Sequence, residues 1–144
     1  MKKSAFILLL ILLLFASCKT KEERLIIGEW KLVDIKEIGD STLIATSPWA
    51  YYLYDNNKSL TISFNRDQIY TLVKKDGSDS RTKQGLYVVR SEMNTLILRL
   101  QDYYSSDGYT GRFDDLVLEK KEMTFKVNHS YDYIYSIFIF KKVK

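Results

Sequence analysis

From residue 25 onward apolar side chains recur at every second position, the period of a strand with one buried face rather than the 3.6 of a helix. Leu60, Ile62 and Phe64 fall on one face, as do Leu96, Leu98 and Leu100, and Met123, Phe125 and Val127. Eight strand segments are predicted on this pattern: residues 27–38, 59–64, 68–74, 83–89, 95–101, 113–119, 123–127 and 134–143. The sixth also admits a helical turn. In the last, Tyr133, Tyr135, Ile137 and Ile139 oppose Ile134, Phe138 and Phe140, so both faces are apolar and a covering element or partner is expected over the outer one.

The connections alternate in length. Residues 65–67, 90–94 and 120–122 are tight and hairpin-like, whereas 39–58, 75–82, 102–112 and 128–133 are longer. In an up-and-down meander alternate connections lie at the same end, so the longer four gather at one rim and the short turns close the other. Eight strands make a barrel whose interior is either filled by side chains or holds one small ligand. The expected fold class is therefore all-β, an eight-stranded antiparallel up-and-down β-barrel spanning residues 25–144.

Residues 1–24 follow a different rule. Lys2 and Lys3 precede an unbroken apolar run at 5–16, which ends in Ser17 and the single cysteine, Cys18. A positive start followed by a short apolar core is the layout of a signal peptide. Twelve apolar residues are too few for a span, which takes about 20. Phe15-Ala16-Ser17-Cys18 resembles the lipobox of bacterial lipoproteins, with Phe15 in place of the usual leucine. The resemblance implies a diacylglyceryl group on Cys18, cleavage before it, and a membrane partner through that anchor in the bacterial envelope. Residues 1–17 are then the signal peptide and 18–24 an acylated tether, reaching roughly 20 Å if extended. Lys21-Glu22-Glu23 is similar to acidic sorting signals that send lipoproteins of the outer membrane to the cell surface, which makes surface exposure an expectation.

Cleavage leaves 127 residues with 20 basic and 18 acidic side chains, so the precursor pI near 9.0 overstates the basicity of the mature chain. Basic and acidic residues are interleaved, as in Lys120-Lys121-Glu122, and no basic stripe points to nucleic acid.

Gly28-Glu29-Trp30, opening the first strand, resembles the Gly-x-Trp signature of lipocalins. The flow from residues 27–33 through 60–64, 85–89 and 95–98 to the closing Phe138-Ile139-Phe140-Lys141-Lys142 is similar to bacterial lipocalin-like lipoprotein domains. Independently of the name, a glycine lets a strand bend sharply at a barrel base, and an indole two residues on points to the same side and fills the narrow end. The resemblance adds a basic residue of the last strand, Lys142 or Lys144, over the indole. It also implies a small hydrophobic ligand at the mouth. The threonine-aspartate-tyrosine motif of classical lipocalins is missing; Tyr131-Asp132-Tyr133 is similar in letters but precedes the last strand.

Catalytic and metal chemistry find little purchase. His129 is the single histidine, and Asp102, Asp107, Asp114 and Asp115 lack calcium-loop spacing, so no metal or other cofactor is expected. Ser80-Arg81-Thr82-Lys83 fits Ser-x-x-Lys by letters alone, without the companion motifs of that chemistry. Nothing supports an enzyme. The positive signal is aromatic: of eleven tyrosines, eight lie in the longer connections, at 51, 52, 54, 103, 104, 109, 131 and 133. Trp49, Tyr51, Tyr52, Tyr54, Tyr103, Tyr104 and Tyr109 are the expected ligand contacts, since rings with a polar tip suit half-wet recognition surfaces. The expected function is binding of a small hydrophobic or aromatic-compatible molecule at the rim. The alternative is an accessory lipoprotein with a filled core whose rim contacts an envelope protein.

Overall fold

The computed structural model describes residues 20–39, 57–103, 111–128 and 135–143. The described chain begins with a short helix, α1 (Lys21–Ile26), held by a reciprocal cap. Thr20 Oγ1 accepts from the Glu23 amide at 3.2 Å, and the Glu23 carboxylate accepts from the Thr20 amide at 2.9 Å. Glu22 and Glu23 in the first turn and Arg24 in the last oppose the helix dipole. Six residues do not sustain a helix in water unaided; burial of Ile26 completes it. The expectation of an extended link through residue 24 is thus corrected. Thr20 and Glu23 at capping-box spacing, just before Leu25-Ile26-Ile27, are the local cause.

Eight strands follow: β1 (Gly28–Ile38), β2 (Lys58–Phe64), β3 (Ile69–Asp76), β4 (Asp79–Glu92), β5 (Thr95–Asp102), β6 (Gly111–Leu118), β7 (Glu122–Asn128) and β8 (Tyr135–Lys142). Each pairs antiparallel with the next, and β8 returns to β1, closing an up-and-down barrel in chain order. All eight predicted segments are strands, including the sixth, where a helical turn was the alternative. There the chain bulges between Asp114 and Val117, with Asp115 at φ +48°, and Leu116 is returned to the core. A second bulge between Leu32 and Asp34 shifts the inward parity of β1, so that Trp30, Leu32 and Ile35 are buried while Val33 is exposed.

The largest departure from expectation lies between β3 and β4. Residues 75–82 form no long loop: β3 runs to Asp76, β4 starts at Asp79, and Gly77-Ser78 is a two-residue turn with Gly77 at φ +60°. Glycine at the first central position is what such a turn requires. The β4–β5 turn also has two residues, with Met93 at φ +48° and Asn94 at φ +67°.

Trp30, Tyr70, Leu98, Met123, Phe125, Phe138 and Phe140 dominate the core. Phe125 is its hub, with ring centroids 4.6 Å from Phe113, 5.7 Å from Phe138 and 5.3 Å from Phe140. Each such side chain removed from water contributes about 1.5–3 kcal/mol before ordering costs. On the outer face of β8, Ile137 is flanked across the ladder by Lys36 and Lys126, and Lys126 Nζ stands 4.0 Å over the Tyr135 ring. Among the described residues this face is half-covered by its neighbours' charged side chains rather than by a helix.

Candidate functional site

One end of the barrel is sealed. Gly28 enters β1 at φ +134°, a conformation that favours glycine. Two residues on, the fully buried Trp30 donates from its indole Nε1 to the Ile26 carbonyl at 2.7 Å, tying the core to the last turn of α1. Lys142 lies over the indole, Nζ 4.8 Å from the ring centroid, and donates to the Leu25 carbonyl at 3.1 Å. Its partial burial pulls the ammonium below the ordinary lysine range. Nearby, Tyr87 donates to the Asn65 carbonyl at 2.7 Å, and burial, with Glu23 of α1 adding to it, pushes its phenol up to about 12.

Above this floor the barrel is not completely filled. A cavity of about 50 Å³ remains among side chains that include Leu60, Leu72, Leu100, Phe113, Phe125 and Val127, all apolar. Volume of that size would hold only about three to five waters, and with no polar lining it has no partners to offer them.

Leu72 also borders a second, polar cavity of about 290 Å³ toward the rim, which is walled by Lys74, Asp76, Asp79, Arg81 and Lys83. Register explains why these charges point inward. Tyr70, Leu72, Lys74 and Asp76 share one face of β3, and Tyr87, Gly85, Lys83, Arg81 and Asp79 share the matching face of β4. Lys58 of β2 pairs with Asp76 at 3.4 Å, and Lys83 with Asp102 at 3.3 Å. Tyr70 donates its hydroxyl to the same Asp102 carboxylate. Burial, then Lys83 and Arg81, lowers the Lys74 ammonium below its ordinary range. On the outer wall Arg90, Arg99 and Arg112 converge on Glu92 at 2.5, 2.7 and 3.3 Å, and Arg112 also meets Asp114 at 2.8 Å. That cluster sets three guanidiniums against two carboxylates.

Of the expected ligand contacts, Tyr103 is described: it lies at the end of β5, half-exposed, with its amide on the Gln84 carbonyl at 3.2 Å. Trp49, Tyr51, Tyr52, Tyr54, Tyr104 and Tyr109 lie outside the described residues, as do Cys18, Asp107, His129, Tyr131, Tyr133 and Lys144. Asp102, read from sequence as a surface turn residue, is an inward rim carboxylate. Lys74 and Lys83 fall on the predicted strands without being singled out there, whereas Asp76, Asp79 and Arg81 fall in the stretch expected as a loop. Gly77-Ser78 between two alternating segments was the signal that would have placed them on strands. Among the described residues no group of His, Cys, Asp or Glu is placed to hold a metal ion.

Fold and site together define a closed eight-stranded up-and-down barrel, sealed at one end and apolar within, with a charged inner rim. No family model, curated protein or solved structure matches the chain.

Proposed function

We propose that the chain is a lipid-anchored protein of the bacterial envelope whose lipocalin-like barrel binds one small, largely apolar molecule inside. The observation that carries this reading is the apolar cavity of about 50 Å³ among core side chains. At about 24 cal/mol per Å³ an empty space of that size costs roughly 1 kcal/mol, a loss that the apolar end of a ligand would recover.

The signal-like residues 1–17 and the lipobox resemblance support acylation at Cys18. Position of α1 at the sealed end supports an orientation with that end toward the bilayer and the rim, including Tyr103, away from it. The aromatic contacts expected from sequence, Trp49, Tyr51, Tyr52, Tyr54, Tyr104 and Tyr109, lie outside the described residues.

The test is a nuclear magnetic resonance titration with xenon, a neutral apolar probe small enough for a space of about 50 Å³. Saturable one-site binding is expected for the native chain and loss of it for Val127→Phe, which fills the cavity, while the unfolding midpoint is kept. Absence of binding by the native chain, or equal binding by the variant, would defeat the reading.

A second reading, contact with an envelope protein, draws support from the outer face around β8. There Val33 and Ile38 are exposed, and Tyr135, Ile137 and Ile139 are half-buried.

A further inference from the structure

We propose that the tip of the β4–β5 hairpin, with Met93 at its apex, is a second membrane contact that enters the surface of the bilayer holding the anchor at Cys18. This rests on the reading of Cys18 as the acylated residue and adds a contact made by the fold itself.

β4, at 14 residues, outruns its neighbour β3 at the sealed end. Its last rung with β3 is Leu86 opposite Ile69, whereas with β5 the ladder continues from Val88–Arg99 to Glu92–Thr95. Val88 to Glu92 therefore run roughly 16 Å past the start of β3. Ser91, Met93, Asn94 and Thr95 are all exposed at the tip so formed, Met93 at 97%.

Folding gives no reason for methionine there. Met93 has φ +48° and Asn94 φ +67°, the two positive angles for which a two-residue turn favours asparagine and glycine. The other turns at this end, Asn65-Arg66-Asp67-Gln68 and Glu119-Lys120-Lys121, are exposed and wholly polar. Met93 thus holds a long apolar side chain in water, at a backbone position that disfavours it, without packing on the core. Nor does charge oppose entry into a bilayer surface. Ser91, Asn94 and Thr95 are neutral, and the Glu92 carboxylate is engaged by Arg90 and Arg99 at 2.5 and 2.7 Å.

The anchor starts from the base of the same hairpin. Glu23 of α1 lines a small cleft with Gln68, Tyr87 and Val89. From Glu23 back to Cys18 the chain reaches at most about 12 Å, one turn of helix and two further residues. From Val89 out to Met93 the hairpin reaches about 13 Å, four strand residues. With equal reach from one cleft, the acyl group and Met93 meet one plane, and the acyl group makes that plane the bilayer surface. A single methionine binds a bilayer weakly by itself. Beside an anchor that already holds the chain at the membrane, it fixes the tilt of the barrel and keeps the rim outward.

Single apolar residues are also common on protein surfaces with no role, and the experiment separates the two. The acylated chain is purified from bacterial membranes, spin-labelled at Asn94→Cys or Ser78→Cys, and returned to vesicles of phosphatidylethanolamine and phosphatidylglycerol. Asn94 reports on the tip, and Ser78, exposed in the rim turn, is the water reference. Cys18 in thioether linkage takes no label. Electron paramagnetic resonance compares collisions with oxygen, which concentrates in lipid, against those with a water-soluble nickel chelate. The oxygen-to-nickel ratio at the tip is expected to be severalfold that at Ser78. Adding Met93→Asp, a residue that tolerates the positive φ, should return it to the Ser78 value. A tip ratio no higher than that at Ser78, or one untouched by Met93→Asp, would overturn the contact while leaving the anchor in place. Uptake of label by Cys18 in the otherwise native chain would overturn the anchor, and with it the contact that depends on it.

Discussion

Replacing Trp30 with phenylalanine should lower the unfolding free energy by about 2–4 kcal/mol, the sum of a lost hydrogen bond and a new void. Trp30 is fully buried, and its Nε1 is 2.7 Å from the Ile26 carbonyl. A phenyl ring has no donor, and leaving that carbonyl buried without its partner costs about 1–3 kcal/mol. The smaller ring also leaves space beneath α1, which adds roughly 1 kcal/mol for each 40 Å³ that the surroundings fail to fill. Lys142 keeps its bond to the Leu25 carbonyl and loses only part of its attraction, since phenylalanine is a weaker cation platform than tryptophan. Against a typical stability of about 5–15 kcal/mol the loss is readily measured. Urea unfolding followed by far-ultraviolet circular dichroism gives the midpoint and slope. Hydrogen exchange adds a local reading: amides of α1 should open before those of the barrel, because six residues do not hold a helix without the indole contact. A Trp30→Phe protein within about 0.5 kcal/mol of the native chain, with α1 protection unchanged, would refute the view that the indole pins the helix over the barrel floor.

Tyr87 predicts an alkaline transition. Its phenol titrates at about 12 in the fold and near 10 in the unfolded chain, so its contribution to stability is complete below about pH 10 and disappears as pH rises through about 12. The unfolding midpoint should fall across that window and fall less in Tyr87→Phe; identical curves would contradict the buried-phenol account. Gly85→Ala should destabilise by about 1–3 kcal/mol or more, because an added Cβ would lie 1.9 Å from the Gln101 carbonyl oxygen and 2.8 Å from Asp102 Cα, both backbone. Thermal unfolding checks it, and a midpoint matching the native chain would show that β4 and β5 separate freely at the rim. Cys18→Ser should abolish incorporation of labelled palmitate in bacterial cells and release the chain from the membrane fraction. Label retained on the serine variant would place the anchor elsewhere.

Most of the barrel was readable because its lower half obeys one rule. Leu60, Ile62 and Phe64, or Met123, Phe125 and Val127, alternate with polar neighbours, and burial follows the alternation. Trp30 was readable for the same reason, being two residues past a glycine at a strand start. Bulges were not: the shift that returns Ile35 to the core depends on how β1 pairs with β8, more than a hundred residues away, and nothing local marks it. Thr20 with Glu23 did mark α1 locally, but six residues of helix carry no apolar period to draw attention.

The β3–β4 hairpin failed for a more informative reason. Period-two reading finds strands by looking for an apolar face, and above Leu72 both faces are polar, so residues 75–82 resembled a solvated loop. Turn chemistry at Gly77-Ser78 and the even spacing of Lys74, Asp76, Asp79, Arg81 and Lys83 nevertheless agree on a strand pair. Backbone signals there say strand, and the side chains obey the burial rule, because Asp76, Asp79, Arg81 and Lys83 are exposed and an apolar face has nothing to pack on. The apolar face ends at Leu72, the residue at which the apolar cavity meets the charged one. The side chains change to lysine, arginine and aspartate where the strand pair leaves the packed core, and there Asp76, Asp79, Arg81 and Lys83 are exposed.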